Sequence, residues 1–376
     1  MNAPLGRLRF PVEASRGRRY PEPAHPYRNE FQRDRDRIVH ARAFRRLEDK
    51  TQVFTAGISD HFRSRLTHTI EVAQIARTTA CALGLDEDLT EALALAHDFG
   101  HPPFAHAGEE ELNRQMQRFG QAFDHNLHAL RLVESFENRY ARFPGLNLTF
   151  EVREGIVKHS MDFQPGQFPG LEEYLPGLRP PLEAQLIDLA DEIAYNTADL
   201  DDGFSAGLFT MEDIAAEIAH YAEIRDIVET QFPGAPLVVR FLEALRMLID
   251  HLVTALIEGT ARATLDSGAG DHEAPRRHPV RLACFPAPAL ETNRALKLFL
   301  HRRLYNSPKL VEERKRSCQS VAALFQFFLD NPGRMPAPYD DLARRQPLHR
   351  VVCDYIAGMT DGFFLRTCRQ FLKPLC

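Results

Sequence analysis

Apolar residues recur every three or four positions through most of the chain, the spacing that marks one face of an α-helix. Phe31, Ile38, Ala41 and Phe44 open the pattern just after Glu30, while Arg33, Asp34, Arg35, Asp36 and Arg37 alternate in sign and predict a mostly solvated face. A second helix is expected from Ser64 to Leu83 on Leu66, Ile70, Ala73 and Ala76, with Gly84 as its C-terminal cap. Asp86 then starts DEDLTEALALAHDFG, Ala- and Leu-rich enough to be buried on most sides, which ends at His97-Asp98 before Gly100 and Pro102-Pro103. Helices follow at His106 to Phe119, Asp124 to Tyr140 and Arg153 to His159, with a turn at Phe143-Pro144-Gly145. Few segments alternate as strands do and no repeat is evident, so the fold expected is all-α.

The same pattern divides the chain. Residues 1 to 28 are Pro- and Arg-rich without periodicity and read as an N-terminal arm, ordered by lying on something else. Residues 29 to 263 form the main helical domain, within which the Pro/Gly-dense stretch from Gln164 to Pro181 is a loop, and residues 211 to 263 are helical by pattern. Residues 264 to 284 are a polar loop, and 285 to 376 a helical C-terminal region packed on the same core, broken near Pro308 and near Pro332 to Pro336.

Composition narrows the setting. A 376-residue chain with 44% hydrophobic and 26% charged residues has the make-up of a soluble globular protein. It has no run of the roughly 20 apolar residues that cross a bilayer, so no membrane contact is expected. The N-terminal segment lacks the apolar core of a secretory signal, and six cysteines without a CxxC pair fit a cytoplasmic protein. A net charge of −6 means that any polyanionic ligand is met by locally placed Arg and Lys.

Four residues then stand out: His68, the pair His97-Asp98, and Asp191, each on an expected helix. Two imidazoles and two carboxylates suit a borderline or hard divalent ion bound to phosphate oxygens better than a structural zinc. Taken alone, His97-Asp98 is explained as well by a simple His-Asp hydrogen bond. The segment HDFGHPPFAHAGEE adds His101, His106 and Glu109, more imidazole than one metal needs and apt for proton transfer and phosphate contact. His106 and Glu109 are three apart at a helix start, where the carboxylate can orient the imidazole or a water. Asp191, Tyr195 and Asp199 fall at i, i+4 and i+8 and share one face. Tyr195 there either contacts a sugar or packs. The cations best placed for phosphate are Arg65, Arg45, Arg46 and Lys50.

With these residues in place, the chain resembles the deoxyguanosinetriphosphate triphosphohydrolase-like proteins of the HD superfamily. The strings that carry the resemblance are FQRDRDRIVHARAFRRLEDKTQVF, RLTHTIEVAQIAR, HDFGHPPFAHAGEEELN, FDHNLHALRLVE, LNLTFEVREGIVKH and ADEIAYNTADLDD. It implies an HD-domain phosphohydrolase fold with a helical C-terminal extension, homo-oligomeric assembly, often as a hexamer, and hydrolysis of a dNTP to deoxynucleoside and tripolyphosphate. By position it implies His68, His97, Asp98 and Asp191 as ligands of one divalent metal ion, manganese or magnesium, or else iron, cobalt, nickel or zinc. It implies catalytic roles for His106 and Glu109, a place against the phosphates for His125, and nucleotide contacts for Gln52, Arg65, Tyr195 and Asp199. His101 joins the phosphate-facing set. Some relatives carry a second, activating nucleotide. Two departures are visible: Ala198 stands where many relatives have His, and Ala105 replaces a Gly or small polar residue, adding only a methyl.

Two other functions compete. One is an HD-type nucleotidase or phosphodiesterase on another nucleotide, against which the extended set Arg65, His101, His106 and His125 weighs. The other is a regulatory protein that binds single-stranded nucleic acid through Arg314-Lys315-Arg316 and Arg16 to Arg19, with a structural HD site.

Overall fold

The computed structural model describes residues 4 to 52 and 63 to 372. Among them no strand forms, only three isolated β-bridges, and the fold is all-α as expected. In chain order the helices are α1 (Glu30–Val39), α2 (Arg42–Arg46), α3 (Arg65–Leu83), α4 (Glu87–Ala96), α5 (Ala105–Gln117), α6 (His125–Arg131), α7 (Phe150–Val157) and α8 (Leu182–Ser205). There follow α9 (Met211–Glu217), α10 (Ala219–Gln231), α11 (Leu237–Asp266), α12 (Ala274–Arg277), α13 (Ala287–Leu300), α14 (Pro308–Asp330), α15 (Tyr339–Leu342), α16 (Leu348–Ala357) and α17 (Asp361–Phe371).

Local chemistry sets the ends that matter. Asn29 and Gln32 form a reciprocal capping box at α1, Ser64 and Asp86 cap α3 and α4, and Asp124 accepts from Leu127 N at 3.0 Å to start α6. Gly84 ends α3 in the left-handed conformation, φ 81°, which a side chain would oppose. Three expectations gain detail. Residues 211 to 263 are three helices rather than one run, interrupted at Ile218 and at Pro233-Gly234. The break expected near Pro308 falls at Asn306-Ser307, and Pro308 itself occupies the first position of α14, where its missing N–H costs nothing. The loop expected from 264 is shorter and partly helical, and Arg276 within it is buried in an ion pair with Glu154 at 2.9 Å.

Two apolar clusters hold these helices. The larger draws Val72 and Ala76 of α3, Leu89 and Leu93 of α4, Val152 and Ile156 of α7, Leu186 and Ile193 of α8, Leu248 and Leu252 of α11, and Leu296 of α13. The second joins Phe104, Leu112 and Met116 on and before α5 to Val321, Leu324 and Phe325 of α14, Val352 and Ile356 of α16, and Phe364 of α17. Each fully buried Val, Leu, Ile, Phe or Met among them contributes roughly 1.5–3 kcal/mol. The α5 helix, which carries His106 and Glu109, is thus seated in the C-terminal region.

The N-terminal arm lies on its own chain. Leu5, Leu8 and Phe10 are buried in the main cluster, and Leu5 N donates to Leu83 O at 2.9 Å. Its polar half overturns the expected solvated face of α1. Arg18 bonds Asp34 at 2.5 Å, Glu22 bonds Arg37 at 2.7 Å, and Arg33, Asp34 and Arg37 are all buried. A period within α1 says nothing about a segment twelve or more residues away that covers it, so the alternating charges read as solvated. Arg18→Ala leaves the buried Asp34 carboxylate with the Thr149 N–H and hydroxyl but without its counter-charge. The expected loss is about 3–5 kcal/mol in urea unfolding.

Glu183 on α8 also holds the arm. It is buried and accepts from Phe10 N at 2.9 Å and Asp86 N at 3.1 Å, and burial pushes its carboxyl up to about 7 from an ordinary 4.5. The folded protein therefore holds this proton more tightly than the unfolded chain does. The stability linked to this group is fully present below pH 4.5 and declines as pH rises to 7, where a carboxylate must stay buried. In Glu183→Gln this dependence disappears. Urea unfolding across that window is expected to show a slope flatter by about 3 kcal/mol in total.

Candidate active site

One cavity of about 540 Å³ gathers most of the residues singled out in the sequence. Its walls include Gln52, Arg65, His68, Asp98, His101, His106, His125, Asp191, Tyr195 and Asp199. His97 stands just behind His68, buried, and Glu109 behind His125.

Helix ends build the first part. α4 stops at Ala96, and the turn after it presents His97 and Asp98 against His68 on α3 and Asp191 on α8. His68 Nε2 is 2.8 Å from Asp191 Oδ1, while His97 Nε2 is 3.5 Å from Asp98 Oδ1 and 3.7 Å from Asp191 Oδ1. His97 Nδ1 lies 2.6 Å from Ala94 O, an atom that only accepts, so Nδ1 carries the proton and Nε2 keeps its lone pair. That buried Nε2 has no hydrogen-bond partner. An unpaired imidazole nitrogen facing two carboxylates is the donor set that a divalent cation fits, and His68, His97 and Asp98 each bring a ligand atom within 4.8 Å of the others.

The electrostatics agree. Burial alone would raise the Asp98 carboxyl, but the Arg65 guanidinium at 2.7 Å and the His97 and His101 imidazoles outweigh it and hold it well below the usual carboxylate range. Asp191 is held low in the same way by His159, His68 and His97. His97 itself is raised against burial by Asp98 and Asp191, a field that favours a positive charge at this spot.

A second group lies beside the first. His125 Nδ1 is 2.7 Å from Glu109 Oε1, His106 Nδ1 is 3.7 Å from Glu109 Oε2, and the rings of His101 and His125 stack at 4.0 Å. Against burial, hydrogen bonds from His106 and His125 hold the Glu109 carboxyl far below its usual range, so it stays ionised. His101 is buried and its pKa is pushed well down, by burial first and Arg65 second. His106 lines the cavity and is exposed. Gly100 permits this arrangement, because a Cβ there would sit 1.8 Å from His125 O.

Ala105 is where a sequence expectation fails. It takes φ 52°, directly after Phe104 at φ 63°, so the chain enters α5 through two left-handed residues that are not glycine. The added methyl costs roughly 1–2 kcal/mol of backbone strain there. Ala198, the other departure, is buried outside the cavity wall.

The far wall holds Tyr195 and Asp199 on the face of α8 that carries Asp191. Tyr305 donates to Asp199, whose carboxyl burial pushes up to about 7. Gln52 also lines the cavity, and its Oε1 is buried without a partner. Of the expected phosphate cations only Arg65 is in place. Lys50 is buried with Nζ donating to the carbonyls of His101 and Ala357, Arg46 donates to Gly358 O at 2.9 Å, and Arg45 is exposed away from the cavity. Chain stretches distant in sequence cover Lys50 and Arg46, which no local pattern records.

Several cavity residues went unassigned in the sequence. His159 lies in the turn after α7 with Nδ1 2.8 Å from Asp188 Oδ1 and Nε2 3.7 Å from Asp191 Oδ2, and these carboxylates push it up against burial. Its signal was present: it closes LNLTFEVREGIVKH, and Asp188 precedes Asp191 by one helical turn. Lys297, His301 and Tyr305 come from α13 and the turn after it, and Arg314 from α14. Nothing in their spacing links them to residues 65 to 199.

Known proteins match this architecture. An HD domain model matches residues 65–196, and a phosphohydrolase-associated domain model matches residues 283–370. A deoxyguanosinetriphosphate triphosphohydrolase-like protein of Geobacter sulfurreducens is 44% identical over 361 residues, covering 96% of this chain and 93% of its own. Proteins of that name from Azoarcus sp. and Bordetella pertussis are each 45% identical, over 95% and 96% of this chain and 93% and 94% of theirs. Identity of this extent across nearly the whole length, with both domains in order, makes the chain a hydrolase of the deoxyguanosinetriphosphate triphosphohydrolase-like family of HD-domain proteins.

Proposed function

We propose that the protein hydrolyses a dNTP, dGTP or several dNTPs, at the α-phosphorus, releasing deoxynucleoside and intact tripolyphosphate in a divalent-metal-dependent reaction. The observation that carries this reading is the continuity of one cavity. It runs from the His68, His97, Asp98 and Asp191 set, past His101, His125 and Glu109, to the Tyr195 and Asp199 wall. The printed name of the relatives points to the same substrate class.

His68, His97, Asp98 and Asp191 would hold the metal, which when bound supplies Lewis-acid polarisation of the phosphate. Arg65, Lys297 and Arg314 line the cavity and meet the negative charge of the triphosphate. Arg314 thereby has a role inside the cavity, which weakens the reading of its basic run as a nucleic-acid surface. Gln52, Tyr195 and Asp199 form the wall for the sugar, with the Gln52 oxygen unpaired and ready to receive a donor.

Water forms the new bond to the α-phosphorus, and the bond from that phosphorus to the 5'-oxygen breaks. The proton that water loses must reach the departing oxygen. His106 and His125 both face the cavity and both contact Glu109, so the three act as one proton-transfer unit, with ionised Glu109 orienting the rings.

The test is a panel of dNTPs incubated with protein loaded with manganese or magnesium, with products separated by chromatography. Deoxynucleoside and tripolyphosphate are expected. Deoxynucleoside monophosphate with pyrophosphate overturns the reading, and hydrolysis confined to monophosphates or cyclic nucleotides favours the nucleotidase alternative.

A further inference from the structure

We propose that Asp361, the first residue of α17 in the C-terminal region, is a positioning residue that aims His106 by holding the left-handed turn Phe104-Ala105. The inference rests on the reading of this cavity as the site of hydrolysis.

The buried Asp361 carboxylate ties two cavity segments together. Oδ1 accepts from Phe104 N at 3.1 Å, and Oδ2 accepts from Thr51 N at 2.9 Å and from the Thr51 hydroxyl. His106 follows Phe104 by two residues, and Gln52 follows Thr51 by one. The Phe104 ring also meets Phe364 of α17 edge to face, centroids 5.0 Å apart. No side chain caps the start of α5, and its N-cap is the left-handed Phe104 itself. The direction in which α5 leaves the turn is therefore set by contacts from outside the helix. A strained turn persists only when its surroundings over-determine it: α14 and α16 pack against the body of α5, and α17 bonds and covers the turn itself through Asp361 and Phe364. Lys50 and Arg46 brace the same junction, donating to the carbonyls of His101, Ala357 and Gly358. Asp361 lies in the segment matching the phosphohydrolase-associated domain, His106 in the segment matching the HD domain, so the carboxylate couples one to the other.

Asp361→Asn keeps the shape but replaces one accepting oxygen by an NH₂ that faces an N–H donor. Combining it with His106→Ala in a double-mutant cycle separates positioning from general stability. In the wild-type background the substitution is expected to lower kcat about tenfold or more, since small misplacements of a reacting group are costly. In the His106→Ala background the same change is expected to cost less than about threefold, because the group being aimed is gone. Bound metal should stay at the wild-type level, and amide hydrogen exchange across residues 101–106 should quicken.

Equal losses of kcat in both backgrounds, or unchanged exchange at 101–106, overturn the proposal. If Asp361→Asn does not fold, Asp361→Glu, which displaces the carboxylate by one methylene, serves the same cycle. The two readings fail separately: a wild-type protein inert toward every dNTP sinks the function, whereas the exchange measurement still reports whether Asp361 holds the turn.

Discussion

Replacing Gly100 by alanine is expected to cut kcat about a hundredfold while bound metal stays unchanged, because a misplacement of about 1 Å at a reacting group is worth that much. The new Cβ would lie 1.8 Å from His125 O and 2.5 Å from Ala129 N, both backbone atoms of α6 that no rotamer change can move. The first turn of α6 must therefore withdraw. His125 withdraws with it, away from Glu109 and from the stacked ring of His101, and the proton-transfer unit opens. The metal set is spared because α6 yields first: His68 and Asp191 lie on α3 and α8, and the turn that carries His97, Asp98 and Gly100 is pinned by Arg65 on Asp98 and by Ala94 O against His97. Steady-state kinetics beside metal analysis of the purified variant checks this. Loss of metal together with activity would show that α6 supports the metal set as well.

Asp98→Asn is expected to lower bound metal to below about a tenth of the wild-type content and to reduce activity by about 10³-fold or more, beyond the loss of a single oxyanion donor. Asp98 sits between four partners: Arg65, His68, His97 and His101 all approach its two oxygens within 4.0 Å. Asparagine keeps an oxygen for Arg65 at nearly the same place, so the fold survives while the charge is removed. The carboxylate that remains, Asp191, is left to balance Arg65, His68 and His97 alone. Elemental analysis after dialysis reads the metal directly, and circular dichroism confirms the fold. A variant with full metal content and lost activity would move Asp98 from ligand to proton chemistry.

The parts legible in the sequence were those written locally. Asn29, Ser64, Gly84, Asp86 and Asp124 mark helix ends by their own side chains or conformation, and the i, i+4, i+8 spacing of Asp191, Tyr195 and Asp199 does put all three on the cavity wall. His68, His97, Asp98 and Asp191 converge although 123 residues separate the first from the last. What escaped was tertiary cover. Asp34 reads as solvated until Arg18 is laid on it, Lys50 reads as a phosphate ligand until Ala357 closes over it, and Ala105 reads as an innocent methyl until its φ is known. Lys297, His301 and Tyr305 belong to the cavity through the packing of α13 against α8, which leaves no mark on either helix alone.

These misses share a direction. The sequence under-reported what the C-terminal region does, for it supplies part of the cavity wall, most of the apolar cluster on which α5 sits, and the carboxylate that bonds the turn before His106. The HD segment carries the donor set, but residues 283–370 shape the space in which a triphosphate would lie.

The most direct measurement of the central claim is hydrolysis of a dNTP in ¹⁸O-enriched water, with phosphorus NMR and mass spectrometry of the products. Attack at the α-phosphorus predicts one ¹⁸O at a terminal phosphate of intact tripolyphosphate and none in the deoxynucleoside. Label in the deoxynucleoside 5'-hydroxyl, or release of pyrophosphate or orthophosphate in place of tripolyphosphate, would contradict it.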